Sequence, residues 1–213
     1  MTFEFHDVVQ TSDEWFNLRL GKPAGSAAAK YMAHEGKPEF GDPAHDYAMD
    51  LALEQLTGRR GPGMKPTAAM MRGVELEPVA LELYASTKFV DPTNGGWFDC
   101  GTYGTSPDAL VGDDGVVEIK CTEMKAHWAL LKKREYDSKY HWQLMNHLDV
   151  TERDWVDYVN YCPYFPDYAC LFIYRLYRKD YIAEIQKLRA RREKFIVMIE
   201  AKKVIVEESR DVK

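Results

Sequence analysis

A chain of 213 residues is about one domain of polypeptide, and its 46% hydrophobic and 13% aromatic content is enough to bury a core, which excludes a disordered chain. With 28 basic and 34 acidic residues the net charge is −6. That excludes a protein coated in positive charge for nonspecific nucleic-acid binding, but not a nucleic-acid enzyme with a locally basic groove.

No apolar run approaches the roughly 18 residues of a membrane span, and MTFEFHDVVQ has no basic segment followed by an apolar one, as a secretory signal would. Cys100, Cys121, Cys162 and Cys170 form no CxxC pair. A cytoplasmic protein without disulfides or an iron–sulfur site is expected.

In chain order, Thr11-Ser12-Asp13-Glu14 opens the first predicted helix, with Thr11 and Glu14 at capping-box spacing. Trp15, Leu18 and Leu20 supply a short apolar stripe before Gly21 ends it. Ser26 is the natural N-cap of a second short helix through AAAKYMA. Asp42-Pro43 starts a third, which runs to Leu56 and stops at Gly58. Residues 59–66, RRGPGMKP, read as a loop. A long helix is predicted over 67–88, kinked or restarted at Pro78, because proline removes a hydrogen bond and crowds the preceding turn.

Short strands follow at 97–103, 109–111 and 116–121, the last two joined by the turn Gly112-Asp113-Asp114-Gly115. Helices at 125–133 and 139–148, strands at 155–161 and 169–177, and a closing helix over 179–207 complete the chain. This order argues for a mixed α/β (α+β) fold, a central mixed sheet flanked by helices, in a single domain over 1–213.

The chemistry concentrates in Ser106-Pro107-Asp108, nine further residues, and then Glu118-Ile119-Lys120. Side chains alternate along a strand, so Glu118 and Lys120 share one face while Ile119 points behind them. A tight hairpin through Gly112 and Gly115 returns Asp108 alongside Glu118. Two carboxylates then offer hard oxygen donors suited to Mg²⁺ or Mn²⁺. An ammonium group one pleat away can polarise a water or neutralise an oxyanion. Taken alone, an E-x-K pair is most often two exposed residues on an edge strand. The Pro-Asp at hairpin distance argues against that here, and the apolar Gly115-Val116-Val117 marks a central strand.

Pro107-Asp108 followed by Glu118-Ile119-Lys120 resembles the PD-(D/E)xK nuclease motif, and the flanking segments resemble its lambda exonuclease, or YqaJ-like, branch. Trp15-Phe16-Asn17-Leu18-Arg19-Leu20-Gly21, with Ser26 beyond it, is similar to that branch's N-terminal signature. Arg72-Gly73 with Glu77 resembles its helix glutamate. Thr105-Ser106-Pro107-Asp108-Ala109-Leu110 and Glu118-Ile119-Lys120-Cys121 resemble its core strands, and Tyr140-His141-Trp142-Gln143 its late helix glutamine. The matches keep one order over residues 12–163.

The resemblance implies a restriction-endonuclease-like core and an alkaline, metal-dependent 5′→3′ exonuclease. Such an enzyme degrades one strand of linear duplex DNA, leaves 3′ single-stranded tails and serves phage-type recombination. By the same resemblance Asp108 and Glu118 hold Mg²⁺, with Mn²⁺ substituting, and the carbonyl of Ile119 is a further ligand. Lys120 orients or activates the attacking water, Glu77 completes the site, and Gln143 holds the nucleophile or the scissile phosphate. Arg19 and Ser26 form a pocket for a 5′-phosphate. The implied partners are double-stranded DNA ends, further copies in a ring-shaped homotrimer, and a single-strand annealing protein, with no membrane. Pro78 departs from the pattern, since a proline disfavours helical geometry at the residue before it, here Glu77.

Apart from the resemblance, a helix N-terminus at Ser26 turns free N–H groups toward an anion, and Arg19 adds a planar fork. The plainer alternatives are a simple helix cap and a solvated arginine. Rival functions are a structure-specific endonuclease on the same core, which needs no end pocket, and an inactive DNA-binding recombination scaffold. The scaffold is expected to have lost one of Asp108, Glu118 or Lys120, and all three are present.

Lys132-Lys133-Arg134 with Lys139 forms a basic patch near the catalytic segment, able to meet DNA backbone or simply solvated. Arg189, Arg191, Arg192 and Lys194 are expected to be solvated. Ile182, Ile185, Leu188, Phe195 and Ile199 form an apolar core stripe. Met70 is expected to pack rather than wedge into a duplex end, and His141 to pack or hydrogen-bond locally.

Overall fold

A computed structural model of the protein describes residues 2–61 and 68–209, without the side chains of Ala69 and Met70. The expected loop at 62–66 and the packing of Met70 lie outside the described residues. Two sheets organise the rest. A small antiparallel sheet has the order β1 (Glu4–His6), β3 (Trp97–Asp99), β4 (Gly104–Thr105). A five-stranded mixed sheet has the order β2 (Thr93–Asn94), β5 (Ala109–Val111), β6 (Gly115–Cys121), β7 (Trp155–Tyr161), β8 (Leu171–Tyr177). In this sheet β6 and β7 run parallel, joined through α5 (Met124–Lys133) and α6 (His141–Thr151). A parallel pair needs such a crossover, and helices supply it.

Both faces of β6 and β7 are covered, which is why these strands read as nearly continuous apolar runs. Helix α4 (Ala68–Lys88) packs Ala80 and Tyr84 on Val117, Ile119 and Val159. On the other face Val116, Val156 and Tyr158 meet α3 (Asp42–Thr57), α6 and α7 (Ile182–Glu208) through Ala48, Leu144, Leu188 and Phe195. The result is the expected mixed α/β, restriction-endonuclease-like core.

Several boundaries differ from the sequence expectations. In α1 (Asp13–Arg19) the cap is Ser12, whose Oγ accepts from Trp15 N at 3.2 Å, whereas Thr11 sits outside at φ 67°. Ser26 caps nothing. It lies exposed inside the 3-10 turn Gly25–Ala27, ahead of a five-residue α2 (Ala28–Met32). The expected strand at 97–103 stops at Asp99, because Gly101 at φ 84° and the Cys100 N→Tyr103 O bond reverse the chain into β4. Helix α4 runs through Pro78 unbroken. The carbonyl freed by that proline belongs to Val74, which is exposed, so water can satisfy it.

The basic run of α7 is not simply solvated. Arg191 and Arg192 are buried, and Arg191 donates to the carbonyls of Tyr31, Lys37, Pro38 and Glu39. Arg192 and Arg189 both donate to Asp149, at 2.6 and 2.5 Å. Charged groups persist inside only when paired in this way. Of the apolar stripe, Ile185, Leu188, Phe195 and Ile199 are core and Ile182 is exposed. The four cysteines are free.

Candidate active site

Hairpin β5–β6 builds the centre. Gly112, at φ 53°, permits the tight reversal, and Ala109 pairs with Val117, so Asp108 stands opposite Glu118. Asp108 N donates to Val117 O at 3.0 Å, and Ile119 N donates to Asp108 Oδ2 at 2.6 Å. The period of two then brings Lys120 Nζ to 2.5 Å from Glu118 Oε1.

Helix α6 supplies the rest. Gln143 Nε2 donates to Glu118 Oε1 at 2.5 Å. One turn later His147 Nε2 lies 2.8 Å from Glu118 Oε2, and its Nδ1 lies 2.8 Å from Thr105 Oγ1. A carboxylate only accepts, so Nε2 carries a proton toward Glu118, while Nδ1 shares a hydrogen bond with the Thr105 hydroxyl.

Charge is unevenly held. Burial pushes the Asp108 carboxyl well above the usual carboxylate range, and the neighbouring Glu118 and Glu77 charges add to this. Burial also opposes ionisation of Glu118, but Lys120 and His147 outweigh it and hold that carboxyl at about 2. Lys120 is correspondingly raised, against the effect of its own burial, by Glu118 and Asp108, and stays an ammonium. Glu77 enters from α4 in regular helical geometry despite Pro78, and burial raises its carboxyl. A cleft of about 530 Å³ opens over Glu77, Ile119, Lys120 and Tyr140, with Arg72 and Lys139 in its walls.

The Glu118 charge helps to raise both Asp108 and Glu77, so three carboxyl groups with hard oxygen atoms meet in one place, and such a donor set fits a hard divalent cation. Among the described residues no three His, Cys, Asp or Glu side chains form a ready metal cage. Lys120 and Gln143 already share Glu118 Oε1, while His147 holds Oε2.

A second cavity, of about 410 Å³, is lined by Arg19, Arg60, Lys30, Tyr47 and Glu54 among others. The Arg19 guanidinium stacks 3.7 Å over Trp15, and Arg60 lies 3.9 Å over Phe16. Burial, with Arg60 nearby, pulls Arg19 down to about 10, which still leaves a cation at neutral pH. The two sites share a scaffold. Trp15 Nε1 donates to Ser106 Oγ at 2.8 Å, and Gln10 Nε2 to Pro107 O at 2.7 Å, in the turn that carries Asp108. Ser26 does not line this cavity.

The structure thus brings together Asp108, Glu118, Lys120, Gln143 and Glu77, and sets Arg19 in a separate cationic cavity. Sequence reasoning missed His147, Thr105 and Arg60. For His147 a signal existed, four residues after Gln143 and so on the same helix face. His141 bonds locally, its Nδ1 2.7 Å from the Tyr136 hydroxyl.

Among solved structures the chain is similar to an alkaline exonuclease, LHK-Exo, from Laribacter hongkongensis. The identity is 31% and the TM-score 0.79, covering 95% of this chain and 100% of that one. LHK-Exo in complex with dAMP matches at 32% identity and TM-score 0.78, covering 92% and 99%. A phage-related exonuclease from Haemophilus somnus 129PT shares the fold at 15% identity and TM-score 0.65, covering 90% and 98%. No curated protein matches. The YqaJ-like viral recombinase domain matches residues 14–154, the span that holds Arg19, Glu77, the β5–β6 hairpin and Gln143, and the chain belongs to that family.

Proposed function

We propose that this protein is a metal-dependent 5′→3′ exonuclease that degrades one strand of linear double-stranded DNA and leaves 3′ single-stranded tails, in phage-type recombination. It is a deoxyribonuclease, as its alkaline exonuclease relatives are. The Asp108–Glu118–Lys120 group, a raised acid beside an ionised one with a buried ammonium against it, supports metal-dependent hydrolysis, and the single observation that carries the choice of a DNA end is the cationic cavity at Arg19.

Mg²⁺, with Mn²⁺ able to substitute, suits the oxygen donors of Asp108, Glu118 and the Ile119 carbonyl. Such an ion acidifies a bound water and offsets charge on the phosphodiester. Lys120, held protonated, orients the attacking water or meets the developing oxyanion. Gln143, fixed against Glu118, holds the nucleophile or the scissile phosphate. Glu77 completes the site from α4. Arg19, with Arg60, receives the terminal 5′-phosphate, whose second charge distinguishes an end from an internal phosphodiester. That LHK-Exo was solved with dAMP supports a nucleoside monophosphate as the product here.

The protein works as one nuclease domain, in a homotrimer at DNA ends, with a single-strand annealing protein, in the cytoplasm of a bacterial or phage-infected cell. Among the described residues no helix is long and apolar enough to cross a membrane. The test compares linear and closed circular duplexes in Mg²⁺, with and without 5′-phosphates. Loss of nucleotides from 5′-phosphorylated linear ends is expected. Efficient cutting of closed circles would instead make the protein an endonuclease.

A further inference from the structure

Beside the cleft lies a face whose chemistry the reaction does not use. The chain has a net charge of −6, yet residues 124–134, MKAHWALLKKR, hold Lys125, Lys132, Lys133 and Arg134 and no acidic residue. Helix α5 buries His127 and Leu130 and leaves Met124, Lys125, Trp128, Lys132 and Lys133 exposed. Met124, Trp128 and Lys132 follow at intervals of four and so share one face. Trp128 is 64% exposed, an unusual state for so large an apolar side chain. The loop between β7 and β8 extends the face, with the Phe165 ring 6.4 Å from Trp128, and with Tyr164 and Tyr168 exposed.

This face joins the cleft directly. Arg72 lines the cleft, pairs with Glu123 at 3.7 Å and sits 5.5 Å over the Tyr164 ring. Its Nη2 is buried with no hydrogen-bond partner among the described residues. The Arg72 side chain keeps 23% of its surface exposed, so its guanidinium offers a phosphate a cation between the cleft and the aromatic face.

We propose that this face binds single-stranded DNA, namely the intact strand as it leaves the cleft. Its bases stack on Tyr164 and Trp128, while its phosphates meet Arg72, Lys125 and Lys132. The proposal rests on the exonuclease reading, because only strand-selective degradation produces such a strand at this place. Cations interleaved with exposed rings suit a polyanion with flat bases better than they suit a dry protein contact. Stacking is tolerant of sequence, since every base has a π face, and an enzyme that advances through any sequence needs that tolerance.

The test is fluorescence anisotropy of the full chain with a 5′-hydroxyl oligo(dT) in EDTA, where no cutting occurs. Trp128→Ala is expected to weaken binding about 5- to 100-fold, the range for one lost base–aromatic stack, with Trp128→Phe close to wild type. Lys132→Ala should lower the salt dependence of binding by roughly one counterion. Binding of a blunt duplex with 5′-phosphates should be nearly unchanged in all three variants. Wild-type affinity for oligo(dT) in Trp128→Ala, or an equal loss on the duplex, overturns the proposal. So does a smaller sedimenting species for Trp128→Ala, which would make the face a contact between copies. If the wild type trims linear duplex but does not bind oligo(dT), this proposal fails and the exonuclease reading stands. Failure to trim linear duplex ends that reading instead.

Discussion

Glu118 and His147, both 1% exposed, meet at 2.8 Å between Oε2 and Nε2. The contact ties an acid of the central strand to a helix whose His147 is in turn held by Thr105 of the small sheet. His147 therefore fixes the orientation of Glu118 rather than touching the substrate. His147→Ala should raise the Mg²⁺ concentration for half-maximal rate about 10- to 100-fold, as loss of a ligand's orienting partner does. It should also cost about 1–3 kcal/mol of stability, since two buried groups lose a partner. His147→Gln, which keeps a donor, should recover much of both. An unchanged Mg²⁺ dependence in His147→Ala would show that Glu118 is oriented without it.

The two carboxyls should part company in stability while agreeing in activity. Burial and the Glu118 charge both disfavour the ionised form of Asp108, so Asp108→Asn should abolish cutting yet raise the thermal midpoint of the metal-free protein. Glu118 balances the Lys120 ammonium and accepts from His147 and Gln143, so Glu118→Gln should abolish cutting and lower the midpoint. Breaking a buried ion pair costs about 3–5 kcal/mol, and each kcal/mol shifts the midpoint of a chain this size by about 2–4 °C. Calorimetry in EDTA checks both signs, and shifts of equal sign would contradict the charge distribution described.

Stability and activity should also slope in opposite directions with pH. The folded-state pKa of Asp108 is raised, so the folded state holds a proton that the unfolded chain releases from about pH 4 upward. Its contribution is present below that and is lost as pH rises through the raised value. Glu118 is depressed to about 2, so its contribution is present above its ordinary 4.5 and is lost as pH falls toward 2. Cutting needs Asp108 ionised and a water that loses its proton, so the rate should climb from neutral into mildly alkaline pH. A rate maximum near about pH 5 with saturating Mg²⁺ would contradict this.

Arg19→Ala should remove most of the preference for 5′-phosphorylated ends while leaving cutting possible. Charge-assisted hydrogen bonds contribute about 1.5–3 kcal/mol each, so the preference is about ten- to a hundredfold. Arg60→Ala should have a smaller effect, because that guanidinium is exposed and screened. Initial rates on phosphorylated and dephosphorylated ends of one duplex measure both. Equal wild-type rates on the two ends would remove the end pocket from the account.

The Asp108, Glu118 and Lys120 group was legible in the sequence because it is local. One tight turn and the period of two bring all three together within thirteen residues of chain. The central place of β6 was legible for a similar reason, since a strand buried on both faces must be apolar almost throughout. The cap of α1 was not, because Thr11 and Ser12 offer the same hydroxyl and only the backbone angle at Thr11 rules it out. Partners brought together by packing were also hidden. Trp15 bonds Ser106 across 91 residues, Glu118 bonds His147 across 29, and Arg191 reaches the Tyr31 carbonyl across 160. Apolar periodicity tells which face of an element is buried but not which distant element covers it. Tertiary packing decides that, and with it which buried polar groups can find their hydrogen bonds.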